Sequence, residues 1–223
     1  MDARTSRPSN RTILWSLAVK AWAFRGRVLA AMALLVVAKV ASVGVPLILD
    51  VRYTGEKAEG IVVVNNMRKR GRRLGADLFR EACTEIALAL IGMDAQSEGG
   101  LGEVRNVDVP GFISRYRFFF HSCRYTSLGL AACEAMMIGM PIVAPATTEM
   151  ATVIQSGRNG YVDTNRRAMV EAMRELLHDR ELALRWGAAA RETALERFGI
   201  ERFVRDWMAA LDAVTSRSQA LAA

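Results

Sequence analysis

The stretch from Phe118 to Pro145, FFFHSCRYTSLGLAACEAMMIGMPIVAP, constrains the fold more than any other part of the chain. Its opening apolar and aromatic run, Arg117 to His121, has the composition of a strand buried on both faces, and Arg124-Tyr125-Thr126-Ser127 is a polar loop. Gly129 to Ile138 then reads as a helix. Gly139 stops it, and Pro141-Ile142-Val143-Ala144 begins a second apolar strand. A strand, a loop, a helix and a strand in this order form a crossover unit of a parallel sheet.

Such a unit sets its loop at the carboxyl end of the first strand and beside the helix N-terminus. Free backbone N–H groups and the helix dipole favour a phosphate there. Ser127, Leu128, Gly129 and Leu130 form the expected cradle. Glu134 lies in the second turn of the same helix, where its carboxylate can accept hydrogen bonds from a pair of ligand hydroxyls such as those of a ribose. A diphosphate beside a diol is the signature of a sugar nucleotide.

Thr126-Ser127-Leu128-Gly129-Leu130-Ala131-Ala132-Cys133-Glu134-Ala135-Met136 resembles the donor motif Glu-x7-Glu of GT-B retaining glycosyltransferases of group 1, also called group 4. The run GMPIVA that follows strengthens the resemblance, which extends from about Tyr53 to Leu211. In that family the second Glu holds the nucleotide ribose and the backbone of a Phe-Gly-Leu segment meets the diphosphate. These roles fall on Glu134 and on Leu128-Gly129-Leu130. The first Glu, which contacts the donor sugar, is Thr126 here, so the resemblance speaks for the nucleotide more than for the sugar.

With 223 residues, 52% of them hydrophobic, the chain can fill one good core. The net charge of +7 is concentrated at the N-terminus, where Arg4, Arg7, Arg11, Lys20, Arg25 and Arg27 face Asp2 alone. The dense basic group in the body, Arg68-Lys69-Arg70 with Arg72-Arg73, has no aromatic residues interleaved with it, which argues against nucleic acid as a partner. Cys83, Cys123 and Cys133 are odd in number and lack metal-ligand spacing, as free thiols of a reducing compartment would. His121 reads as a strand-end residue near the ligand loop, not as a metal ligand.

Residues 1–27 form a basic, partly disordered leader. Residues 28–50 contain the apolar run VLAAMALLVVAKVASVGVPLIL, long enough to cross a bilayer, with the upstream cations holding the N-terminus in the cytoplasm. A cleaved secretory signal and a soluble core helix are the competing readings. Residues 12–50 also resemble the start of half-size ABC exporters of the mitochondrial iron–sulfur type, in which a Trp-bearing stretch and Arg-Gly-Arg precede the first transmembrane helix. No Gly-x4-Gly-Lys-Ser/Thr loop follows, so ATP hydrolysis is not expected. Arg52 to Lys57 is polar and is read as the linker to a domain over 53–215, with 216–223 as a tail.

Ile61 to Val64 reads as a strand, Arg72 to Ala82 as a helix and Ile86 to Met93 as another strand, with Gly99 to Glu103 a flexible turn near the cleft. The resembled family has an Arg after the first of these strands, and a Lys five residues later, that grip the departing diphosphate. Asn65 and Arg70 occupy those positions. A guanidinium at 70 can still neutralise phosphate charge. After Pro145, Thr147 and Thr148 stand where the family has a Gly-Gly loop that contacts the sugar. Thr152 stands at a further Glu, with Glu149 beside it as a substitute carboxylate. Beyond lie helices with three apolar faces: Met169, Met173, Leu176 and Leu177; Leu182, Trp186, Ala189 and Thr193; and Phe203, Trp207 and Leu211, the last exposed or resting on the N-terminal helix.

The expected architecture is α/β, a Rossmann-like parallel sheet with flanking helices forming a single GT-B C-terminal lobe, preceded by an N-terminal hydrophobic helix. The resemblance implies transfer of a hexose from a nucleoside diphosphate sugar to the hydroxyl of a glycan or lipid-linked acceptor, with retention. Arg70 and Thr126 take the catalytic positions, and Asn65, Ser127, Leu128, Gly129, Leu130, Glu134, Thr148 and Glu149 bind the donor. No cofactor or metal is expected, and the sequence contains no Asp-x-Asp pair to hold one. The expected location is cytoplasmic, with anchoring at the inner face of the membrane. A membrane-anchored binding protein without catalysis and an exporter fragment are the alternatives.

Overall fold

The structure, a computed structural model, describes residues 51–220. The basic leader, the apolar run at 28–50 and the exporter-like segment lie outside the described residues, as do 221–223. Among the described residues no helix is long and apolar enough to cross a membrane.

Five parallel strands form the sheet: β1 Lys57–Val63, β2 Leu88–Ile91, β3 Tyr116–Phe120, β4 Ile142–Pro145 and β5 Gly160–Asp163, in the spatial order β2-β1-β3-β4-β5. The helices are α1 Met67–Arg70, α2 Ala76–Cys83, α3 Val109–Ile113, α4 Leu130–Ile138, α5 Met150–Val153, α6 Arg166–His178, α7 Arg180–Phe198 and α8 Ile200–Ala220. The chain leaves β1 toward β2 on one side and then returns to build β3, β4 and β5 on the other. The crevice at the carboxyl ends of β1 and β3 is therefore the topological switch point, where open α/β sheets bind ligands.

Why these segments become central strands is plain from their side chains. Every residue of β3 is buried, which a run of five consecutive apolar, aromatic and basic residues tolerates only between two covering layers. On one face Phe119 packs with Ala132, Met136 and Ile142, and on the other Phe118 and Phe120 pack with Met169, Met173 and Trp186. α4 ends at Gly139, whose φ of 94° places it in the left-handed region that stops a helix.

Several elements differ from the sequence reading. The helix expected from Arg72 is delayed, because Gly71–Leu74 forms a 3-10 turn and α2 begins only at Ala76. The stretch Arg52 to Lys57 is no free linker: Tyr53 N–H donates to Ile138 O at 3.0 Å, Thr54 N–H to Ser114 O at 2.9 Å, and Tyr53 hydroxyl to Arg117 O at 2.5 Å. The glycine turn at 99–102 is likewise tied down, with Leu101 N–H on Leu90 O and Gly92 N–H on Gly102 O. α7 buries Ala183, Trp186, Gly187, Ala190 and Ala194, so its core face is rotated from the expected one and leaves Leu182, Ala189 and Thr193 at the margin. α8 packs Phe203 against Trp207 with ring centroids 6.0 Å apart, but leaves Trp207 42% exposed, and it runs through residue 216 to Ala220. Met169, Met173 and Leu176 of α6 are buried, as their shared apolar face implies.

Candidate functional site

The loops that follow β1 and β3 are joined to one another at the switch point. Ser122 Oγ donates to Leu74 O at 2.9 Å, Arg124 N–H donates to Arg73 O at 3.2 Å, and the Arg124 guanidinium reaches Asp77 Oδ1 at 2.5 Å. Gly75 makes this join achievable. It has φ 75°, and a Cβ there would stand 1.9 Å from the carbonyl oxygen of Ser122. A side chain at 75 would push the two loops apart.

The join brings Arg70 to the β3 side. Its positive charge acts on the Cys123 thiol, whose pKa burial nevertheless pushes up to about 11. Arg70 itself is exposed at the end of α1. Asn65 is also exposed, but its side-chain carbonyl accepts the Met93 N–H at 2.8 Å and so ties the loop after β1 to the loop after β2. That places Asn65 in a structural bond which a ligand would have to share.

α4 begins directly after Gly129, with no side-chain cap. The N–H groups of its first turn therefore lack partners within the helix, and the nearby Ser127, Gly129 and Leu130 are at the surface while Leu128 is buried. Glu134 lies one turn further along, half-buried, and burial raises its carboxyl to about 6. It has neither a hydrogen bond nor an ion pair among the described residues, so its oxygens are available.

Thr126 hydroxyl donates to Ser127 O at 2.5 Å, and Thr126 O accepts from Thr148 Oγ1 at 2.6 Å. The loop after β3 is thus latched to the loop after β4. Thr148 holds φ 50°, a left-handed conformation that a β-branched residue adopts only under constraint. Thr147 Oγ1 is buried with no partner. Glu149 is exposed at the start of α5 without capping it. Arg70, Thr126, Ser127, Gly129, Leu130, Glu134 and Thr148 therefore gather on the carboxyl-end surface of β1, β3 and β4.

Sequence reasoning missed the partners that hold this surface in place. Arg124, Asp77 and Gly75 had no signal, because their contacts join segments about 50 residues apart. Among the described residues no group of three His, Cys, Asp or Glu side chains is placed to hold a metal ion.

A five-stranded parallel sheet with flanking helices, and an uncapped helix start beside its switch point, matches one lobe of the GT-B architecture. Residues 100–193 match the family described as Glycosyl transferases group 1, a family of transferases. Among curated proteins, the poly(ribitol-phosphate) alpha-N-acetylglucosaminyltransferase of Staphylococcus aureus is 25% identical over 114 residues, which are 47% of this chain and 23% of that protein. Among solved structures, a variant of TarM from S. aureus in complex with fondaparinux, alpha-GlcNAc-glycerol and UDP superposes with a TM-score of 0.60 at 18% identity, over 70% of this chain and 36% of its own. The C-terminal domain of a glycosyl transferase group 1 family protein from Francisella tularensis gives 0.52 at 14% identity, over 68% of this chain and 97% of its own. The chain thus spans about a quarter of the curated relative that it matches and about a third of the TarM chain.

Proposed function

We propose that this chain binds a nucleoside diphosphate sugar and serves in transfer of its hexose to the hydroxyl of a glycan or lipid-linked acceptor, with retention at the anomeric carbon. The observation that carries this reading is the placement of Glu134. An unpartnered, half-buried carboxylate lies one turn from an uncapped helix N-terminus, the spacing that a ribose and its diphosphate require. The diphosphate rests on the amides of Leu128 to Leu130. Arg70 neutralises the charge that develops on it as the sugar leaves. Thr126 and Thr148, latched together, border the place of the sugar. The chemistry runs without a protein-held metal, and the chain works at the cytoplasmic face of the membrane.

The match over residues 100–193 and the UDP in the TarM complex support the nucleotide class. Calorimetric titration of the full chain with uridine, guanosine and adenosine diphosphates tests it. One of the three should bind, and Glu134→Ala should weaken that affinity about tenfold, roughly 1.4 kcal/mol. A folded chain that binds none of them is not a donor-binding lobe.

A further inference from the structure

His121 is the first residue after β3 and the one ionisable side chain beneath the α4 N-terminus that the reading above leaves without a role. Side chains alternate along a strand, so His121 shares a face with Phe119, the face covered by α4. Its backbone N–H pairs with Val143 O at 2.8 Å, which fixes it in the sheet. The imidazole is 8% exposed and has no hydrogen-bond or ionic partner among the described residues.

The ring faces the cradle. A Cβ built on Gly129 would lie 3.4 Å from Cε1 of His121, the carbon between the two ring nitrogens, and 3.9 Å from Thr126 Oγ1. The imidazole edge that carries both nitrogens therefore adjoins the residue from which α4 starts. Two independent features, an uncapped helix N-terminus and a largely buried imidazole without a protein partner, meet at one point.

From this geometry we infer that His121 is an anion-binding residue of the donor site, donating a ring N–H to a diphosphate oxygen seated over Gly129 and Leu130. The inference rests on the nucleotide reading and adds a residue to it. Burial lowers the imidazole pKa to about 4, so at neutral pH the ring is uncharged and offers one N–H, with its other nitrogen an acceptor. A neutral donor can orient a phosphate without adding a positive charge.

The test compares two replacements in the full chain. His121→Gln keeps an N–H donor and His121→Leu keeps only the bulk. Each is titrated with uridine, guanosine and adenosine diphosphates and with the corresponding nucleosides. For the diphosphate that binds, affinity is expected to fall about tenfold in His121→Leu and to be largely restored in His121→Gln, with the nucleoside unaffected by either. The chain has 2 histidines, so nitrogen-detected imidazole spectra resolve His121 against His178 as an internal control. The diphosphate should shift the His121 resonances and leave those of His178 in place.

If His121→Leu binds the diphosphate like the wild type while Glu134→Ala does not, His121 is a core residue and the inference is overturned with the nucleotide reading intact. If the folded wild type binds no nucleotide, both fall. Should either variant fail to fold, the imidazole shifts of the wild type decide alone. A His121 signal that does not move on saturation with diphosphate overturns the inference.

Discussion

Arg117 and His121 stand at opposite ends of β3, one near its start and the other just past its last residue, and they are almost equally buried at 6% and 8% exposure. Their surroundings differ completely. Arg117 Nε donates to Gly55 O at 2.8 Å and its Nη1 to Leu177 O at 2.7 Å and Leu176 O at 3.3 Å, so the guanidinium closes the C-terminal turn of α6. His121 has no such partner. The amino end of the sheet is built to be complete by itself, while the carboxyl end keeps an imidazole, a carboxylate at Glu134 and a helix N-terminus open. Polar groups without protein partners thus sit at one end of β3 and fully bonded ones at the other.

This contrast can be broken at its closed end with the largest effect. Arg117→Met removes three donors and leaves buried carbonyls unpaired, and it should cost about 3–5 kcal/mol in denaturant unfolding. A loss below about 1 kcal/mol would mean that water replaces the guanidinium and that the amino end is open after all. Next comes Gly75→Ala. Forced against Ser122 O in a left-handed backbone, it should lose roughly 2–4 kcal/mol, and unchanged stability would show that the two loops separate freely.

At the open end the effects appear as pH dependence. The folded-state pKa of His121 is depressed to about 4, below the ordinary 6.5. The unfolded chain takes up a proton as pH falls through 6.5 and the folded chain resists until about 4, so stability present above pH 6.5 is lost across that window, roughly 3 kcal/mol. His121→Leu should flatten that part of the curve, and a variant with the same acid slope would show that the ring is solvated.

For Glu134 the sign is reversed. Its folded pKa is raised to about 6 from 4.5, so stability is fully present below 4.5 and declines as pH rises through 6. With allowance for its partial exposure the loss is about 1 kcal/mol, and Glu134→Gln should recover it at pH 7. A destabilised Gln variant would mean that the carboxylate has a structural partner. The trade-off expected is a more stable protein that binds nucleotide less well.

Much of this was legible in the chain. The run Arg117 to His121, the stop at Gly139 and the strand after Pro141 lie where local composition places them, because a buried parallel strand and a helix terminator are decided by neighbours in sequence. The start of α4 after Gly129 and the place of Glu134 one turn along it follow from the same local spacing. What could not be read was long-range. Nothing in the sequence pairs Tyr53 with Ile138, Arg117 with the end of α6, or Arg124 with Asp77. Asn65 could be seen as a polar loop residue, but its bond to Met93 N–H depends on how two loops meet. The face of α7 was misjudged because small residues, Ala183, Gly187, Ala190 and Ala194, make its close contact, and the reading gave weight to Leu182.

The absence of a side chain at Gly75 also has a kinematic meaning. Loops that border a ligand usually shut by moving independently on the nanosecond to millisecond scale. Here the loop after β1 and the loop after β3 are in backbone contact at Gly75 and Ser122, are bonded again through Arg124, and the second is latched to the loop after β4 through Thr126 and Thr148. The three loops are linked in series. Displacing one of these loops therefore requires breaking its bonds to the next, so the carboxyl-end surface of the sheet is cross-linked along its length.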